Sequence, residues 1–355
     1  MSKNLHWFGN LLIIWYLENK RDLPWRETKD PYPIWLSEII LQQTRVAQGL
    51  PYYEKFLNAF PTVFELAQAK EETVLKLWQG LGYYSRARNL HATAKFIAFH
   101  NQGEFPKDYK GLLQLKGVGD YTASAIASIC FNQATAVVDG NVYRVLSRVF
   151  GIETPINSGK GISEFKQLAQ KLINPKQPGT FNQALMEFGA RHCVPSKPSC
   201  EACIFSKMCV AFQWQKVNQL PVKMKKTQVK NHYFNYLVFL SKDGKTLLEQ
   251  RTQKGIWQNL YQFPLIESKQ LWDLKKMKKD KAFVKFSKDY NITSVTQYNE
   301  APIVHKLSHK NLHTTFWILE MDDLSSEAIP IPDVHSYPVP VLIENFILEF
   351  PPFKT

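Results

Sequence analysis

Apolar residues recur at helical spacing through the first 212 residues of the chain. The run from Ile34 to Val46 follows Pro33, a residue that favours the first turn of a helix. The same i, i+3, i+4 spacing predicts helices at Glu65–Trp78, Leu90–Phe99 and Asn141–Phe150. The apolar run LLIIWYL is too short to cross a bilayer, so we expect a buried helix there. The pattern thus predicts a mainly α-helical domain over residues 1–212.

The pattern changes after residue 212. Residues 213–232 hold five lysines and no acid, which predicts a basic, solvated linker between two domains. Beyond it, YFNYLVFL and KTLLEQR flank Lys242-Asp243-Gly244, an arrangement that favours a β-hairpin. Further β-rich segments such as HTTFWILEM predict a second domain of α+β class over residues 233–355.

The composition is that of an ordinary globular protein, with 45% hydrophobic and 21% charged residues. The formal net charge of +13 favours a polyanionic partner, with nucleic acid ahead of a membrane. A basic protein without such a partner is the alternative that composition leaves open. No secretory signal is visible, so we expect a cytoplasmic protein that acts away from membranes.

A single acid stands in the apolar segment PYPIWLSEIILQQTRV. This residue, Glu38, shares a helical face with Gln42 and Arg45 at i, i+4 and i+7. Burial among so many apolar neighbours would raise the pKa of its carboxyl. A solvent-facing side chain, or an ion pair with Arg45, would instead make Glu38 an ordinary helix residue.

A second acid, Asp139, precedes Gly140 and the helix predicted from Asn141. Aspartate is a favoured N-cap residue, and capping alone would account for it. A carboxylate at a helix N-terminus accepts N–H bonds and feels the helix dipole, so we expect its pKa to be lowered. An acid poised to give a proton and an acid that stays charged together suit the cleavage of a glycosidic bond.

The stretch GVGDYTA follows the helical segment KGLLQL and opens another helical segment. This order is typical of a helix-hairpin-helix, in which the backbone at Gly117 and Gly119 approaches a DNA phosphate. Such a contact would position DNA without reading its sequence. A helix connection that touches nothing is the alternative for an isolated G-x-G turn.

Four of the five cysteines lie close together in the sequence. Cys193, Cys200, Cys203 and Cys209 have the spacing C-x6-C-x2-C-x5-C, whereas Cys130 stands apart. Four thiolates in one short segment could bind a [4Fe–4S] cluster. Zinc is the competing interpretation, although structural zinc sites usually have two short knuckles and this segment has one C-x2-C.

At this point the sequence resembles the adenine DNA glycosylases of the MutY family, within the endonuclease III-like helix-hairpin-helix superfamily. The matching features, spread over nearly all of residues 20–210, are PWR, WLSEIILQQTRV, GLGYYSRARNLH, GVGDYTA, VDGNVYRVLSR, NQALMEFGARHC and the cysteine spacing. SEIILQQTRV and NQALMEFGA point to the adenine-specific branch. The resemblance implies a helical glycosylase domain, with a [4Fe–4S] cluster as the cofactor of the cysteine loop.

The resemblance also implies an activity, which is hydrolytic removal of adenine mispaired with 8-oxoguanine or guanine in duplex DNA. The adenine must be flipped out of the helix, because its reacting atoms cannot be reached inside a stacked duplex. Glu38 would be the catalytic acid that protonates the leaving adenine. Asp139 would stabilise the cationic sugar, and Asn141 would support the site.

Further positions match residues that contact DNA or the flipped base in the family. Trp25, Arg26 and Glu187 match positions around the extruded adenine. Gln43 and Tyr83 match residues that wedge into the gap, although core packing would be the ordinary role of a tyrosine. Tyr121 stands where lyases of the superfamily carry a lysine that forms a Schiff base with the sugar. Tyr121, an active-site residue in the family, therefore implies a monofunctional glycosylase without a lyase step.

The second domain resembles the Nudix-like C-terminal domain of the family, which recognises 8-oxoguanine. It has no R-E-x-x-E-E core of a Nudix box, so the carboxylates for a catalytic metal are missing. HKLSHKNLH implicates Ser308 and His309 as lesion contacts. The sequence departs from the family at two positions. Leu307, just before Ser308, replaces a common aromatic residue, and Lys116, just before GVG, replaces the usual proline of the helix-hairpin-helix.

The leading hypothesis is therefore a monomeric adenine glycosylase that works on nucleoid DNA in the cytoplasm. An endonuclease III-like glycosylase/lyase is the alternative within the same superfamily, and Tyr121 argues against it. A DNA-binding protein without catalysis, and a nucleotide pyrophosphohydrolase run by the second domain, are alternatives from other classes. The two acids argue against the former and the missing box against the latter.

Overall fold

The computed structural model describes residues 6–224, 229–324 and 326–354. The chain divides into two compact units, Met1–Gln68 with Asn89–Lys225, and Ala69–Arg88 with Lys226–Thr355. Residues 69–88 therefore leave the first unit and belong with the C-terminal part of the chain.

The first unit is helical, and the second combines helices with β-strands. The helices are α1 (His6–Asn19), α2 (Pro31–Ile40), α3 (Val46–Ala59), α4 (Val63–Gln68), α5 (Glu71–Leu77), α6 (Ser85–His100), α7 (Tyr109–Leu113), α8 (Asp120–Phe131), α9 (Gly140–Phe150), α10 (Gly159–Leu172), α11 (Pro178–Arg191), α12 (Val210–Gln213), α13 (Leu274–Lys279), α14 (Lys281–Asp289) and α15 (Val341–Glu349). The strands are β1 (Lys230–Ser241), β2 (Lys245–Thr246), β3 (Glu249–Gln250), β4 (Tyr261–Gln262), β5 (Leu265–Ser268), β6 (Ile292–Gln297), β7 (Ile303–Lys306), β8 (Lys310–Met321) and β9 (Ile329–Pro330).

The core of the first unit joins α1, α9 and α11 to the cysteine loop. Phe8 of α1 is fully buried and stacks on Phe205 of the loop, with ring centroids 4.9 Å apart. Val142 and Leu146 of α9 and Phe188 of α11 are buried in the same cluster. Each such side chain contributes about 2 kcal/mol by leaving water. This packing fixes the start of α9, where Asp139 lies.

The helix predicted from Ile34 to Val46 is wrong in its second half. α2 ends at Ile40, and Gln43 in the following turn has a left-handed φ of 57°. Gln42 and Arg45 therefore lie beyond the helix and do not share a helical face with Glu38. The chain turns here because a residue in the left-handed conformation cannot continue a right-handed helix.

Two other helix predictions need correction. The run Glu65–Trp78 is interrupted, because α4 ends at Gln68 and α5 begins at Glu71. The run LLIIWYL is helical but buried on one face only: Leu12 is fully buried, whereas Leu17 is 61% exposed. The runs at Leu90–Phe99 and Asn141–Phe150 are confirmed within α6 and α9.

The second unit is built on a sheet in the order β5-β1-β8-β6, with β7 also paired to β8. The two long central strands, β1 and β8, run parallel over their whole length. Leu237, Phe239 and Leu319 are fully buried on the face where Met277 of α13 packs. HTTFWILEM is thereby confirmed as part of the central strand β8.

The hairpin predicted at Lys242-Asp243-Gly244 is wrong. The turn exists, with Gly244 at a left-handed φ of 76°, but β2 pairs with β9 in a separate two-stranded sheet. The Lys245 N–H donates to the Ser241 hydroxyl at 3.0 Å, which holds the chain across the end of β1.

None of the helices within the described ranges combines the length and the apolar character that a membrane span requires. The linker expected over 213–232 falls partly outside the described residues, which omit 225–228. Of the rest, Val210–Gln213 is α12, and β1 begins at Lys230.

Candidate active site

A cavity of about 810 Å³ opens between α2, α8, α9 and α11 of the first unit. The structure brings many of the predicted site residues to its walls, which include Trp25, Arg26, Glu38, Gln43, Tyr121, Asp139, Asn141 and Glu187. We call this space the acid cavity, after Glu38 and Asp139. These residues come from distant parts of the sequence, so their meeting is a result of the fold.

Glu38 lies on α2 and is half-buried, with its side chain on the acid cavity. The pKa of its carboxyl is raised to about 7, chiefly by burial and to a smaller extent by the charge of Asp139. A hydrogen bond with Tyr121 and the charge of Arg26 act in the opposite direction. The raised pKa expected from the apolar neighbours is confirmed. A carboxyl of this kind can donate a proton near neutral pH.

Asp139 is the N-cap of α9, as predicted. Its Oδ1 accepts the Val142 N–H at 2.7 Å, and its Oδ2 accepts from Asn141 Nδ2 at 2.8 Å. The expectation of a lowered pKa is wrong, because burial raises the pKa of Asp139 above its usual value. The hydrogen bonds of the cap oppose this effect without overcoming it. The sequence predicts that Asp139 caps α9, but it does not predict how deeply the carboxyl is buried.

Tyr121, on the first turn of α8, lines the acid cavity together with the two acids. Its hydroxyl donates to Met186 Sδ at 3.0 Å and also shares a hydrogen bond with Glu38. Burial, together with the charges of Glu38 and Asp139, raises the pKa of this phenol well above its usual value. The phenol therefore stays neutral. Because it has no amine group, Tyr121 cannot form a Schiff base.

Glu187 is held by two arginines at the wall of the acid cavity. Burial alone would raise the pKa of Glu187, but hydrogen bonds from Arg21 and Arg26 hold it at about 2. Arg21 donates to both carboxylate oxygens at 2.7 Å, and Arg26 Nη2 donates to Oε2 at 2.8 Å. Sequence reasoning missed Arg21. The only signal was its place five residues before Arg26, in RDLPWR.

Trp25 is mostly in the core, with 8% of its surface exposed. Its ring packs edge-on against Tyr53, with centroids 5.0 Å apart. The part that reaches the acid cavity gives an apolar wall opposite charged groups.

A line of hydrogen bonds leads from Asp139 to the cysteine loop. Asn141 donates to Asp139, and its Oδ1 accepts from Arg144 Nη2 at 2.8 Å. Arg144 Nε donates to the Cys193 carbonyl at 2.7 Å. Arg144 is a second residue that sequence reasoning missed, because only the fold places it between these groups.

The four loop cysteines line one pocket with the buried residue Arg148. Arg148 Nη1 donates to Cys193 Sγ at 3.4 Å, and the Phe205 N–H donates to Cys203 Sγ at 3.4 Å. All are free thiols, and burial raises the pKa of Cys203 to about 11. Across the described ranges, the side chains form no group of three or more ligands placed around a single metal ion.

The GVG turn joins α7 to α8, with exposed Gly117 and Gly119 on either side of buried Val118. Gly117 has a left-handed φ of 81°, and a Cβ there would lie 2.7 Å from Asn89 Cβ. Gly119 is the N-cap of α8 and has open space around it. Exposed backbone N–H groups at the start of a helix can bind a phosphate. Lys116 is exposed beside them.

A second pocket, of about 510 Å³, lies within the second unit. Tyr83 and Ser308 both line it, and their hydroxyls are 2.8 Å apart. Ser308 and His309 form the exposed tip of the β7–β8 hairpin, which the Leu307 N–H closes by donating to the Lys310 carbonyl. Tyr83 is 50% exposed and has a left-handed φ of 48°. We call this space the hairpin pocket.

Comparison with protein families matches residues 36–179 to the HhH-GPD superfamily of base excision DNA repair proteins. Residues 235–349 match the NUDIX domain. Among curated proteins, the chain is 34% identical over 308 residues to the adenine DNA glycosylase of Buchnera aphidicola (Acyrthosiphon pisum), covering 86% of this chain and 84% of that protein. It is 45% identical over 222 residues to the Homo sapiens protein of the same name, covering 60% of this chain and 41% of that protein.

An Arabidopsis thaliana adenine DNA glycosylase is 37% identical over 294 residues, covering 72% of this chain but only 46% of the plant protein. Among solved structures, a thermostable thymine-DNA glycosylase is 31% identical with a TM-score of 0.55, covering 59% of this chain and 97% of that one. An endonuclease III bound non-covalently to DNA is 19% identical with a TM-score of 0.53, covering 61% and 99%. That likeness concerns the fold. The helix-hairpin-helix unit and the Nudix-like unit predicted from the sequence are thereby confirmed.

Proposed function

Because the chain belongs to the adenine DNA glycosylase family, we propose that it hydrolyses the bond between adenine and deoxyribose where adenine is mispaired with 8-oxoguanine or guanine in duplex DNA. The observation that carries this proposal is the pair of carboxyls on one cavity, with a pKa of about 7 at Glu38. Cleavage of a glycosidic bond needs a proton for the leaving group and an anion beside the cationic sugar. Glu38 supplies the proton, and Asp139 supplies the carboxylate, whose hydrogen bonds from Val142 and Asn141 oppose the effect of burial on its pKa.

The acid cavity has the size and the polar edge that a flipped purine needs. Its volume of about 810 Å³ is in the range of small-molecule sites. Trp25 supplies an apolar wall, and the Arg21–Glu187–Arg26 group supplies fixed donors and acceptors. We propose that these four residues hold the adenine after it leaves the stack.

The proposed reaction balances without a cofactor. Glu38 gives its proton to the departing adenine as the bond from the base to C1′ of the sugar breaks. The carboxylate of Asp139, positioned by Asn141, stabilises the positive charge that develops on the sugar. Water then adds to C1′ and returns a proton to Glu38. The products are free adenine and an intact strand with an abasic site.

Tyr121 supports a glycosylase without a lyase step. A lyase attacks the sugar through an amine, which forms a Schiff base. Within the described residues, the wall of the acid cavity contains arginines but no lysine. The neutral phenol of Tyr121 stands beside Glu38 instead. Its proposed role is to orient Glu38 beside the sugar.

The hairpin pocket is the proposed place of lesion recognition. Tyr83 would enter the stack beside 8-oxoguanine, with Ser308 and His309 contacting the oxidised base. Gln43, on the rim of the acid cavity, would fill the gap left by adenine. Both wedge residues, Gln43 and Tyr83, have left-handed φ angles, a costly conformation that is frequent at functional sites. Leu307 offers an aliphatic surface where the family commonly has an aromatic one.

Two further contacts complete the proposal. The exposed backbone at Gly117 and Gly119 would bind a phosphate of the DNA, with Lys116 adding charge. Cys193, Cys200, Cys203 and Cys209 fit a [4Fe–4S] cluster, since all four line one pocket and N–H groups already point at two of their sulfurs. When bound, the cluster would supply covalent cross-links that hold the loop. We expect a monomer that acts on nucleoid DNA in the cytoplasm.

One experiment separates this function from its alternatives. Single-turnover excision is measured on duplexes with adenine opposite 8-oxoguanine, guanine or thymine, each with and without alkali. We expect strand breaks only after alkali and only with the first two duplexes. Breaks without alkali, or an adduct trapped by borohydride, would establish a lyase. Tight binding without abasic sites would establish a DNA-binding protein.

The lesion contact has its own test. Ser308→Ala should lower the preference for 8-oxoguanine over guanine opposite adenine about tenfold, because loss of one hydrogen bond to a base costs roughly 1–2 kcal/mol. Ser336→Ala is the matched control, since that exposed serine lies in the same unit and its hydroxyl donates to the Asp333 carbonyl at 2.7 Å. An unchanged preference in the Ser308 variant would remove the hairpin pocket from the proposal.

A further inference from the structure

Tyr83 is carried by a turn that needs support from outside. The turn lies between α5 and α6, and Tyr83 itself is left-handed at φ 48° and half-exposed. Its hydroxyl reaches Ser308, 225 residues further along the chain. A wedge that must stand in one position relative to the hairpin tip requires fixed anchors on both sides of the turn.

A loop of the second unit provides both anchors. Asn259 Nδ2 donates to Glu71 Oε1 at 2.6 Å, at the first residue of α5. The Gln258 carbonyl accepts from Arg88 Nη1 at 2.8 Å, at the fourth residue of α6. Consecutive residues of one loop therefore hold the helix before the Tyr83 turn and the helix after it.

This loop is itself in an unfavourable conformation. Trp257 and Asn259 have left-handed φ angles of 58° and 65°, and neither is glycine. The Asn259 N–H donates to the Arg251 carbonyl at 2.7 Å, which fixes the residue in that conformation. Trp257 is buried, 8% exposed, and lines the hairpin pocket with Tyr83 and Ser308. Strain of this kind persists only where surrounding contacts over-determine the backbone.

We infer that Asn259 is a positioning residue for lesion discrimination, acting through its hydrogen bond to Glu71 to fix Tyr83 relative to Ser308. Nothing in the loop needs to touch DNA for this role. The inference rests on the proposed function of Tyr83 and Ser308 as lesion contacts. In this role the loop Trp257–Asn259 keeps the side chains of Tyr83 and Ser308 at a fixed distance from each other.

Exchange of the hydrogen-bonding partners tests the inference. Asn259→Asp places two carboxylates together, so the ratio of excision rates opposite 8-oxoguanine and opposite guanine should fall about tenfold. Glu71→Gln in the same chain recreates a donor and an acceptor with reversed direction, and the ratio should recover. Recovery would tie the loss of discrimination to the contact between residues 259 and 71. If the double variant discriminates as poorly as Asn259→Asp alone, the inference is overturned.

Asn259→Gly separates positioning from stability. Glycine adopts the left-handed conformation without cost, which offsets the lost hydrogen bond, so the free energy of unfolding should stay within about 1 kcal/mol of the wild type. Its ratio of excision rates should nevertheless fall, because the hydrogen bond to Glu71 is gone. Retained discrimination in this variant would contradict the inference.

Glu72→Gln is the matched control. The neighbouring carboxylate accepts from the Tyr261 hydroxyl at 2.7 Å, a contact of the same kind that leaves Asn259 untouched. Its ratio should match the wild type, and an equal fall would overturn the inference. Ser308→Ala, measured in the same assay, separates the two levels. If Ser308→Ala discriminates normally, the proposed lesion contact fails. If Ser308→Ala loses discrimination but the Asn259 variants keep it, only the inference about Asn259 fails.

Discussion

The carboxyl of Glu38 has a pKa of about 7 because burial disfavours its charged form. Its acid form is the proton donor in the proposed reaction, so the excision rate should fall about tenfold per pH unit above the pKa. Single-turnover rates between pH 5.5 and 9 would show this falling limb. The limb belongs to the coupled pair of acids, since Asp139 also raises the pKa of Glu38.

Tyr121→Phe should move the falling limb of this pH–rate profile in a defined direction. The hydrogen bond from Tyr121 lowers the pKa of Glu38, so its removal should shift the falling limb to higher pH. A profile that stays in place, or moves to lower pH, would contradict the assignment of Glu38 as the acid. The position of the limb is informative even if the variant is slower overall.

The same carboxyl makes the folded protein less stable at high pH. The folded-state pKa of Glu38 lies above its usual value of 4.5, so the folded state binds more protons than the unfolded state between these values. Unfolding free energy should therefore fall as the pH rises from about 4.5 to 7, by up to about 3 kcal/mol from this group. Glu38→Gln removes the effect.

Urea unfolding of both proteins at pH 5 and pH 8 measures this contribution. We expect Glu38→Gln to gain stability relative to the wild type at pH 8 and to gain much less at pH 5. The variant should also bind mispaired DNA and release no adenine. Equal stability differences at the two pH values would show that Glu38 titrates normally.

Residue-scale prediction from sequence succeeds where the cause is local. Asp139 is recognisable as an N-cap because the helix it caps follows at once, and the apolar neighbours of Glu38 announce its burial. The raised pKa of Asp139 and the role of Arg21 have distant causes. Arg21 meets Glu187 across 166 residues of sequence, and no local pattern encodes that distance.

At the scale of elements, the close approach of α9 and α11 shapes the active site. A Cβ on Gly189 would lie 2.7 Å from the Cβ of Asn141 and 3.0 Å from its carbonyl oxygen. Only glycine allows this packing, because the atoms in the way belong to the backbone and the base of a side chain. The first turn of α9 contains Asn141 and Val142, which donate hydrogen bonds to Asp139, and α11 carries Glu187.

Gly189→Ala should therefore push apart the elements that carry the two sides of the acid cavity. We expect a loss of roughly 1–3 kcal/mol in unfolding free energy and a tenfold or greater loss in excision rate, since small misplacements of catalytic groups are costly. Gly159→Ala, at the first residue of α10 with open space around it, is the control and should change neither. Normal excision by the Gly189 variant would show that the helices can separate freely.

Element boundaries were predicted less well than element types. α2 stops at Ile40 because the following turn uses a left-handed residue, Gln43, which has no glycine to reveal it. The hairpin after β1 fails for a different reason. Its turn chemistry is correct, but the strand that follows finds β9 as its partner, and local sequence does not choose between partners.

At the scale of the whole molecule, the second unit is assembled from two separated parts of the chain. Polar contacts join residues 71–88 to residues 258–344. They include Glu71–Asn259, Glu72–Tyr261, Lys76–Tyr337, Gln79–Val339, Gln79–Glu344, Tyr83–Ser308, Tyr84–Val339 and Arg88–Gln258. The helical pattern of residues 1–212 gave no sign of this exchange, because amphipathic helices look alike whichever core they join.

This arrangement predicts which helices lose protection together. Leu319 is fully buried in the core of the second unit, and Leu319→Ala should cost about 3 kcal/mol there. Amide exchange should then quicken in α5 together with β1 and β8, because their stability depends on the same core. α8 and α9 should keep their protection. Leu146→Ala, in the core of the first unit, should give the reverse pattern. If α5 instead follows α8 and α9, the segment that carries Tyr83 depends for its stability on the core of the first unit, and the proposed lesion contacts are not independent of the proposed excision site.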